Sequence, residues 1–499
     1  MLGRFLSEAS KHAAYALVFG KLLRRSDGAR LLTNSETSEI LSARNTGLLL
    51  DGKRGRLSER ESFQNVCVIA RVGAGKTSRY IIPNVLDKAD RNCSIIVNDP
   101  KGEVFAETSG FMQAKGYRVL AIDPENLERS SRFNPLLEAK TDIELEQVAE
   151  ILIKAGSGNS TKDAFWDNGA IRLVGVLLKL LQRSGYQNPA YFTLGNLYYL
   201  LQNFGIDGSP LDDFVIKWAY DPLNPTDTTL WEEWKGATTG NLNAVQSFAL
   251  TALTALRAFT NRSLVELTAE SSFDLESIRD QKTIIYFIIP AQHAEYYGFW
   301  TSVFFRSVFN ACMRRLPSPA TLPVYVLYDE FGHSTIPSFV SVANTIRGYK
   351  VSLSIVLQSL SQLAARYGQD YARSIQGGFN TYLTYAGADQ HTAEFFEKIA
   401  GKVIEDRRDK IESVTSQRRE FNLLNADAVR RIDDTKAIMV STNKNPALLE
   451  TQPYFMDRRM SKIPRRFGQA RVSGHRSAMK TERVPLKWAR TAERNRIPS

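Results

Sequence analysis

Residues 65–77 read NVCVIARVGAGKT. The first six are a short apolar run rich in β-branched side chains, the pattern of a buried strand, and 71–77 is a small-residue turn ending in Lys-Thr. Strand, turn and Lys-Thr together predict a phosphate cradle made by Arg71, Val72, Gly73, Ala74, Gly75, Lys76, Thr77 and Ser78. Gly73 and Gly75 let the backbone wrap an anion with its N–H groups, Lys76 reaches the terminal phosphates, and the Thr77 hydroxyl can ligate Mg2+. One position departs from the full phosphate-loop pattern, which has a glycine six residues before the lysine where this chain has Ala70.

A chain of 499 residues that is 43% hydrophobic can bury a large core and is expected to fold as two or three domains. Its net charge of +11 is unevenly spread: residues 461–499 hold eleven basic and two acidic side chains, +9, leaving +2 for the first 460. That basic tail, 447–499, argues for contact with an anionic polymer or a membrane surface, or else for a solvated terminus. Cys67, Cys93 and Cys312 are odd in number, widely spaced and embedded in apolar runs, so they predict core packing rather than a disulfide frame. The five histidines show no ligand spacing. The apolar patch at 13–20 is far short of the ~20 residues a spanning helix needs, so the chain is expected to be cytoplasmic or only peripherally attached to a membrane. Residues 1–60 read as a poorly specified N-terminal arm, with a short helix near 8–25.

Past the cradle, residues 77–86 predict a helix facing the phosphates, which Pro83 must kink or end. Further strands are expected at 94–98 (SIIVN, then Asp99-Pro100-Lys101-Gly102-Glu103) and 117–122 (YRVLAI). Strands alternating with helical segments at this interval predict an α/β domain with parallel pairing. From 142 to 273 apolar residues recur at three- and four-residue spacing, which predicts an all-helical insertion, a packing module or a substrate reader. Strands return at 282–290 (KTIIYFIIP) and 324–328 (VYVLY), the second running into Asp329-Glu330. In a nucleotide hydrolase such a pair can hold Mg2+ with the first carboxylate and polarise the attacking water with the second. Strand 351–357 follows and ends in Gln358, where parallel sheets place ligand groups; Gln358 could sense the γ-phosphate. Arg347, at the turn into that strand, could project to a neighbouring subunit as a finger.

The phosphate loop with Ile82-Pro83-Asn84, then Asp99-Pro100-Lys101-Gly102-Glu103, Arg132-Phe133-Asn134-Pro135-Leu136, Asp329-Glu330-Phe331, Thr345-Ile346-Arg347-Gly348 and the 357–363 stretch LQSLSQL stand in the order seen in type IV secretion coupling proteins. The chain resembles that family, the conjugative TraG/TraD-like ATPases, from about 62 to 446. The resemblance implies a RecA-like P-loop NTPase domain with a mostly parallel sheet over 61–141 and 274–446, with an all-α domain inserted at 142–273. It implies ATP and Mg2+ as ligands, with Lys76 and Thr77 at the phosphates and metal. Asp329 would bind metal, Glu330 activate water, Gln358 act as sensor and Arg347 as a finger in trans. It also implies a homo-hexamer at the bacterial inner membrane that hands DNA with its relaxase, or protein effectors, to secretion-channel proteins. The paired N-terminal membrane helices usual in the family have no counterpart in this sequence, which points to membrane contact through a partner or the basic tail. A coupling ATPase for protein effectors only, and an adaptor that binds nucleotide without hydrolysing it, are the alternative readings. All of them require Lys76 and the acidic pair to face one triphosphate from adjoining strands of one sheet.

Overall fold

A computed structural model describes residues 28–156, 164–220, 226–407, 417–441, 443–472 and 482–486. The helix expected near 8–25 and much of the basic tail lie outside the described residues.

Buried apolar runs make the strands. They are β1 (Val66–Ile69), β2 (Ser94–Asn98), β3 (Arg118–Ile122), β4 (Thr283–Phe287), β5 (Val324–Tyr328), β6 (Val351–Leu357), β7 (Thr381–Tyr385), β8 (Lys402–Arg407), β9 (Gln417–Asn422), β10 (Lys436–Ser441) and β11 (Ala447–Glu450). Nine of them form one sheet in the order β11-β10-β7-β1-β6-β5-β2-β4-β3. From β7 to β3 every pairing is parallel. Strands β10 and β11 extend it antiparallel at one edge, and β8 pairs with β9 in a separate hairpin. Every residue of β1, β2, β4, β5, β6 and β7 is buried. Both faces of such a sheet are covered, so its strands carry apolar side chains on both.

One sheet face packs against a core shared with the inserted helices and with helix Gly298–Met313, where Phe287 stacks on Phe304 at 4.5 Å. The other face packs on helices Ile82–Lys88 and Glu103–Ala114. Between Asp142 and Leu267 all regular structure among the described residues is helical, led by Asp142–Gly156 and Ala164–Gln187.

Four sequence expectations change. Lys76 and the acidic pair do not follow adjoining strands, because β6 lies between β1 and β5. Pro83 neither ends nor interrupts its helix. Thr77–Ile81 is a widened π turn in which the Ile82 N–H reaches the Thr77 carbonyl, and the α-helix continues through Lys88. Proline lacks the N–H that an α turn would use, and a widened turn just ahead of it absorbs the mismatch. The stretch read as an N-terminal arm is pinned from its middle onward. Leu48, Leu49, Leu50 and Leu57 are wholly buried, and the Asn84 side chain both accepts from the Leu49 N–H and donates to its carbonyl, each at 2.8 Å. The described part of the basic tail is likewise structural. It opens with β11, lays helix Ile463–Phe467 on helix Glu103–Ala114, and buries Val484 and Leu486.

Candidate active site

Parallel strands deliver their loops to one edge, and the chemistry gathers there. Behind β1, Gly73 and Gly75 take left-handed backbone angles (φ 81° and 79°) that L side chains avoid. Ala70 does not. Its methyl is wholly buried and its N–H donates to the Leu357 carbonyl of β6 at 3.0 Å, so it continues the strand in a conformation that does not call for glycine. Arg71, Val72 and Gly73 are exposed at the mouth of the loop, Ala74, Gly75, Thr77 and Ser78 are half-buried, and Lys76 is buried. The Ser78 hydroxyl donates to the Gly75 carbonyl at 3.2 Å, closing the turn.

Three side chains from two distant parts of the sequence meet the acidic pair. Lys76 Nζ lies 3.2 Å from Glu330 Oε1, and Thr77 Oγ1 donates to Asp329 Oδ2 at 2.8 Å. Gln358 Nε2 donates to Glu330 Oε2 at 2.8 Å. The intervening strand β6 thus brings the glutamine to the carboxylate between the loop and the acidic pair. Glu330 has a left-handed backbone (φ 53°, ψ 46°), rare for a residue with a Cβ and typical of strain held at functional sites. Asn98 at the end of β2 donates to the Asp329 carbonyl at 2.6 Å, fixing the turn.

Burial pushes the Asp329 carboxyl up to about 6, with the neighbouring Glu330 charge adding to the rise and the Thr77 hydrogen bond opposing it. Burial likewise pushes Asp99 up to about 7, with the charges of Asp329 and Glu103 adding, against the backbone N–H groups of Phe105 and Val104. Crowded, desolvated carboxylates beside a hydroxyl fit a hard cation. No group of three His, Cys, Asp or Glu side chains among the described residues forms a metal cage. Mg2+ needs no such cage, since one or two protein oxygens hold it and phosphate oxygens and water complete its shell. The residues present therefore fit the ion, and the Thr77 hydroxyl and the Asp329 carboxylate are the oxygens that stand together to receive it.

Arg347 is not part of this constellation. It is exposed on the turn Ile346–Tyr349 that enters β6, at the opposite end of the strand from Gln358, roughly 20 Å away along the chain. Sequence reasoning missed three supporting residues. Gln362 Oε1 accepts from the Gln358 N–H at 3.0 Å and packs where a Cβ on Gly332 would sit, so the LQSLSQL pattern holds the glutamine in place. Asp99, quoted only as part of a motif, is the second buried carboxyl. His333 lies 3.9 Å from Glu330 Oε2, and its place three residues after Glu330 was the only available signal.

Comparison with known proteins agrees with this geometry. The chain is 26% identical over 414 residues to Protein VirD4 of Rhizobium radiobacter, covering 79% of this chain and 58% of that protein. It is 26% identical over 418 residues to Protein VirD4 of Agrobacterium fabrum, covering 79% and 59%. The chain thus spans a little over half the length of these relatives. Among solved structures, the unbound bacterial conjugative coupling protein TrwBdeltaN70 superposes with a TM-score of 0.67 at 13% identity, covering 86% of this chain and 94% of that one. The plasmid coupling protein TrwB in complex with ADP and Mg2+ gives 0.66 at 14%, with the same coverage. At that identity the likeness is one of fold, a RecA-like α/β sheet with a helical domain. Residues 30–484 match the family described as type IV secretory system conjugative DNA transfer, and the chain belongs to that family.

Proposed function

We propose that this protein is a type IV secretion coupling ATPase, which binds ATP with Mg2+ and uses its hydrolysis to drive a relaxase-bound DNA substrate toward the secretion channel. One observation carries the reading: Lys76, Thr77, Asp329, Glu330 and Gln358 converge from three strands on one point of the sheet edge. The conjugative DNA-transfer family favours DNA over protein effectors as cargo, and the nucleotide-bound TrwB structures support ATP as fuel.

Lys76 binds the β- and γ-phosphates and Glu330 takes the proton of the attacking water. The new bond joins water oxygen to the γ-phosphorus while the bond from phosphorus to the bridging oxygen breaks, releasing ADP and phosphate. Thr77 and Asp329 would hold Mg2+, which would supply neutralisation of the phosphate charge. Gln358, hydrogen-bonded to Glu330, reports the γ-phosphate to the β6 end. Arg347 serves a neighbouring subunit of a homo-hexamer, consistent with its exposure away from its own site. The protein works at the cytoplasmic side of the inner membrane.

Phosphate release measured against DNA concentration tests this. DNA should stimulate turnover, and Lys76→Ala should abolish it, at least a hundredfold down. In the free chain Lys76 is paired with Glu330, so Glu330→Gln should bind ATP at least as tightly as wild type while losing turnover. Turnover that ignores DNA and survives Lys76→Ala would refute the proposal, and tight ATP binding with no phosphate release in wild type would make the protein a non-hydrolysing adaptor.

A further inference from the structure

On the sheet face away from the inserted helices, the chain leaving β11 builds a surface that the candidate active site does not use. The turn Tyr454–Met456 is fastened by the Tyr454 hydroxyl, which donates to Glu107 at 2.8 Å, yet its next two side chains are turned outward. Phe455 is 56% and Met456 67% exposed. Asp457 then spends its carboxylate on the N–H groups of Arg459 and Met460, both at 2.9 Å. Met460 and Ile463 are buried in the core below, which leaves Arg458, Arg459, Lys462, Arg465 and Arg466 exposed.

Two grooves flank this ridge, and Arg458 and Arg459 line both. Lys53, Arg54 and Met456 belong to one, Lys462, Arg466 and Lys115 to the other. The nearby acids are already engaged: Asp87 with Arg56, Asp90 with Lys115, and Asp51 with the N–H groups of its own turn. Lys53, Arg54, Arg458, Arg459, Lys462, Arg465 and Arg466 have no carboxylate partner among the described residues.

We infer that this face docks on an anionic phospholipid surface, with Phe455 and Met456 entering the boundary between headgroups and acyl chains and the surrounding cations meeting lipid phosphates. Protruding apolar side chains ringed by Lys and Arg are the chemistry of interfacial membrane binding. A DNA backbone would reward the cations but not an exposed methionine. A second copy packed face to face would oppose like charges. The inference rests on the inner-membrane location in the proposed function and deepens it, but none of these residues belongs to the candidate active site, so vesicle binding and phosphate release can fail separately.

Vesicle co-sedimentation of the full chain tests it, using phosphatidylcholine alone or mixed with phosphatidylglycerol. Wild type should bind the anionic vesicles in a salt-sensitive way and leave the neutral ones. Reversing Arg458→Glu, Arg459→Glu and Lys462→Glu together should weaken partitioning by at least about a hundredfold, because each cation near such a surface contributes about fivefold and reversal adds repulsion to that loss. Phe455→Ser with Met456→Ser should weaken it by about tenfold or more, leaving a purely electrostatic remainder. An unchanged ATP-binding isotherm in each variant shows that the chain is folded. Equal binding to neutral and anionic vesicles would overturn the inference, as would wild-type vesicle binding by the charge-reversed variant. So would a variant that keeps its vesicle affinity while losing duplex DNA, or that changes oligomeric state instead.

Discussion

Ala70 and Asn65 bracket β1, and each runs against a simple reading of residue type. The alanine stands where the phosphate-loop pattern has glycine, but its backbone is not left-handed and its methyl fills buried space. Ala70→Gly should therefore destabilise the fold by about 1 kcal/mol in denaturant titration while nucleotide affinity stays within about twofold. Asn65 does have a left-handed backbone, φ 64°, and its side chain is a three-way tie. It donates to the Ala343 and Gly378 carbonyls, both at 2.9 Å, and accepts from the Leu353 N–H at 3.1 Å. Asn65→Ala strands three buried backbone groups and strains the turn, so a loss of about 3 kcal/mol is expected in the same titration. Asn65 holds the register of β1 against β6, so the order that puts Gln358 between Lys76 and Glu330 starts from this side chain.

At the level of elements, contacts that no local pattern announces attach the C-terminal segment. Helix Ile463–Phe467 crosses helix Glu103–Ala114 so closely that a Cβ on Gly110 would lie 2.3 Å from the Gly468 carbonyl oxygen and 2.6 Å from that of Phe467. Phe467 packs on Phe111 at 5.1 Å. Backbone cannot yield as a flexible side chain can, so Gly110→Ala should lift the segment at a cost of about 2 kcal/mol. Limited proteolysis should then cut near 457–467 several-fold faster than in wild type, with nucleotide binding retained. Cleavage at the wild-type rate would mean that the two helices separate readily without the substitution.

For the molecule as a whole, the junction between sheet and inserted helices matters most, and the RFNPL stretch builds it. Phe133 stacks on Phe273 and meets Trp300 and Phe304, and Asn134 donates to the Phe192 carbonyl at 2.8 Å. Glu138 clasps the two chain crossings by accepting from the Leu275 N–H at 3.2 Å, while its other oxygen is buried without a partner. Burial pushes this carboxyl up to about 7, opposed by that backbone hydrogen bond. A raised folded-state carboxyl binds more protons than the unfolded chain between about 4.5 and 7, so its burial costs stability as pH climbs through that window. Glu138→Gln removes the charge and keeps an acceptor. Its melting temperature should match wild type at pH 5 and exceed it at pH 8, by the equivalent of about 2 kcal/mol. A difference independent of pH would show that the carboxyl is not the source of the cost.

Wherever one residue type or one short run decides an outcome by itself, the sequence sufficed. The β-branched runs specify β1, β2, β5 and β6 because strands covered on both faces have no other way to be soluble in their own core. The loop 71–78 and the pair Asp329-Glu330 announce their chemistry by type and by position at strand ends. β7, a TYLTY run, lacks that signal because its threonines are satisfied inside the fold, Thr381 by the hydroxyl of Ser441, 60 residues on. Strand order is likewise set by pairings between distant segments, so the insertion of β6 between β1 and β5, and with it the meeting of Gln358 and Glu330, came only from the tertiary structure. The same holds for the ordered 48–57 and 447–467 segments. Their polar and basic residues read as loose ends, but they are fixed by buried leucines, the Asn84 amide and the Gly110 cleft, partners that a one-dimensional pattern cannot display.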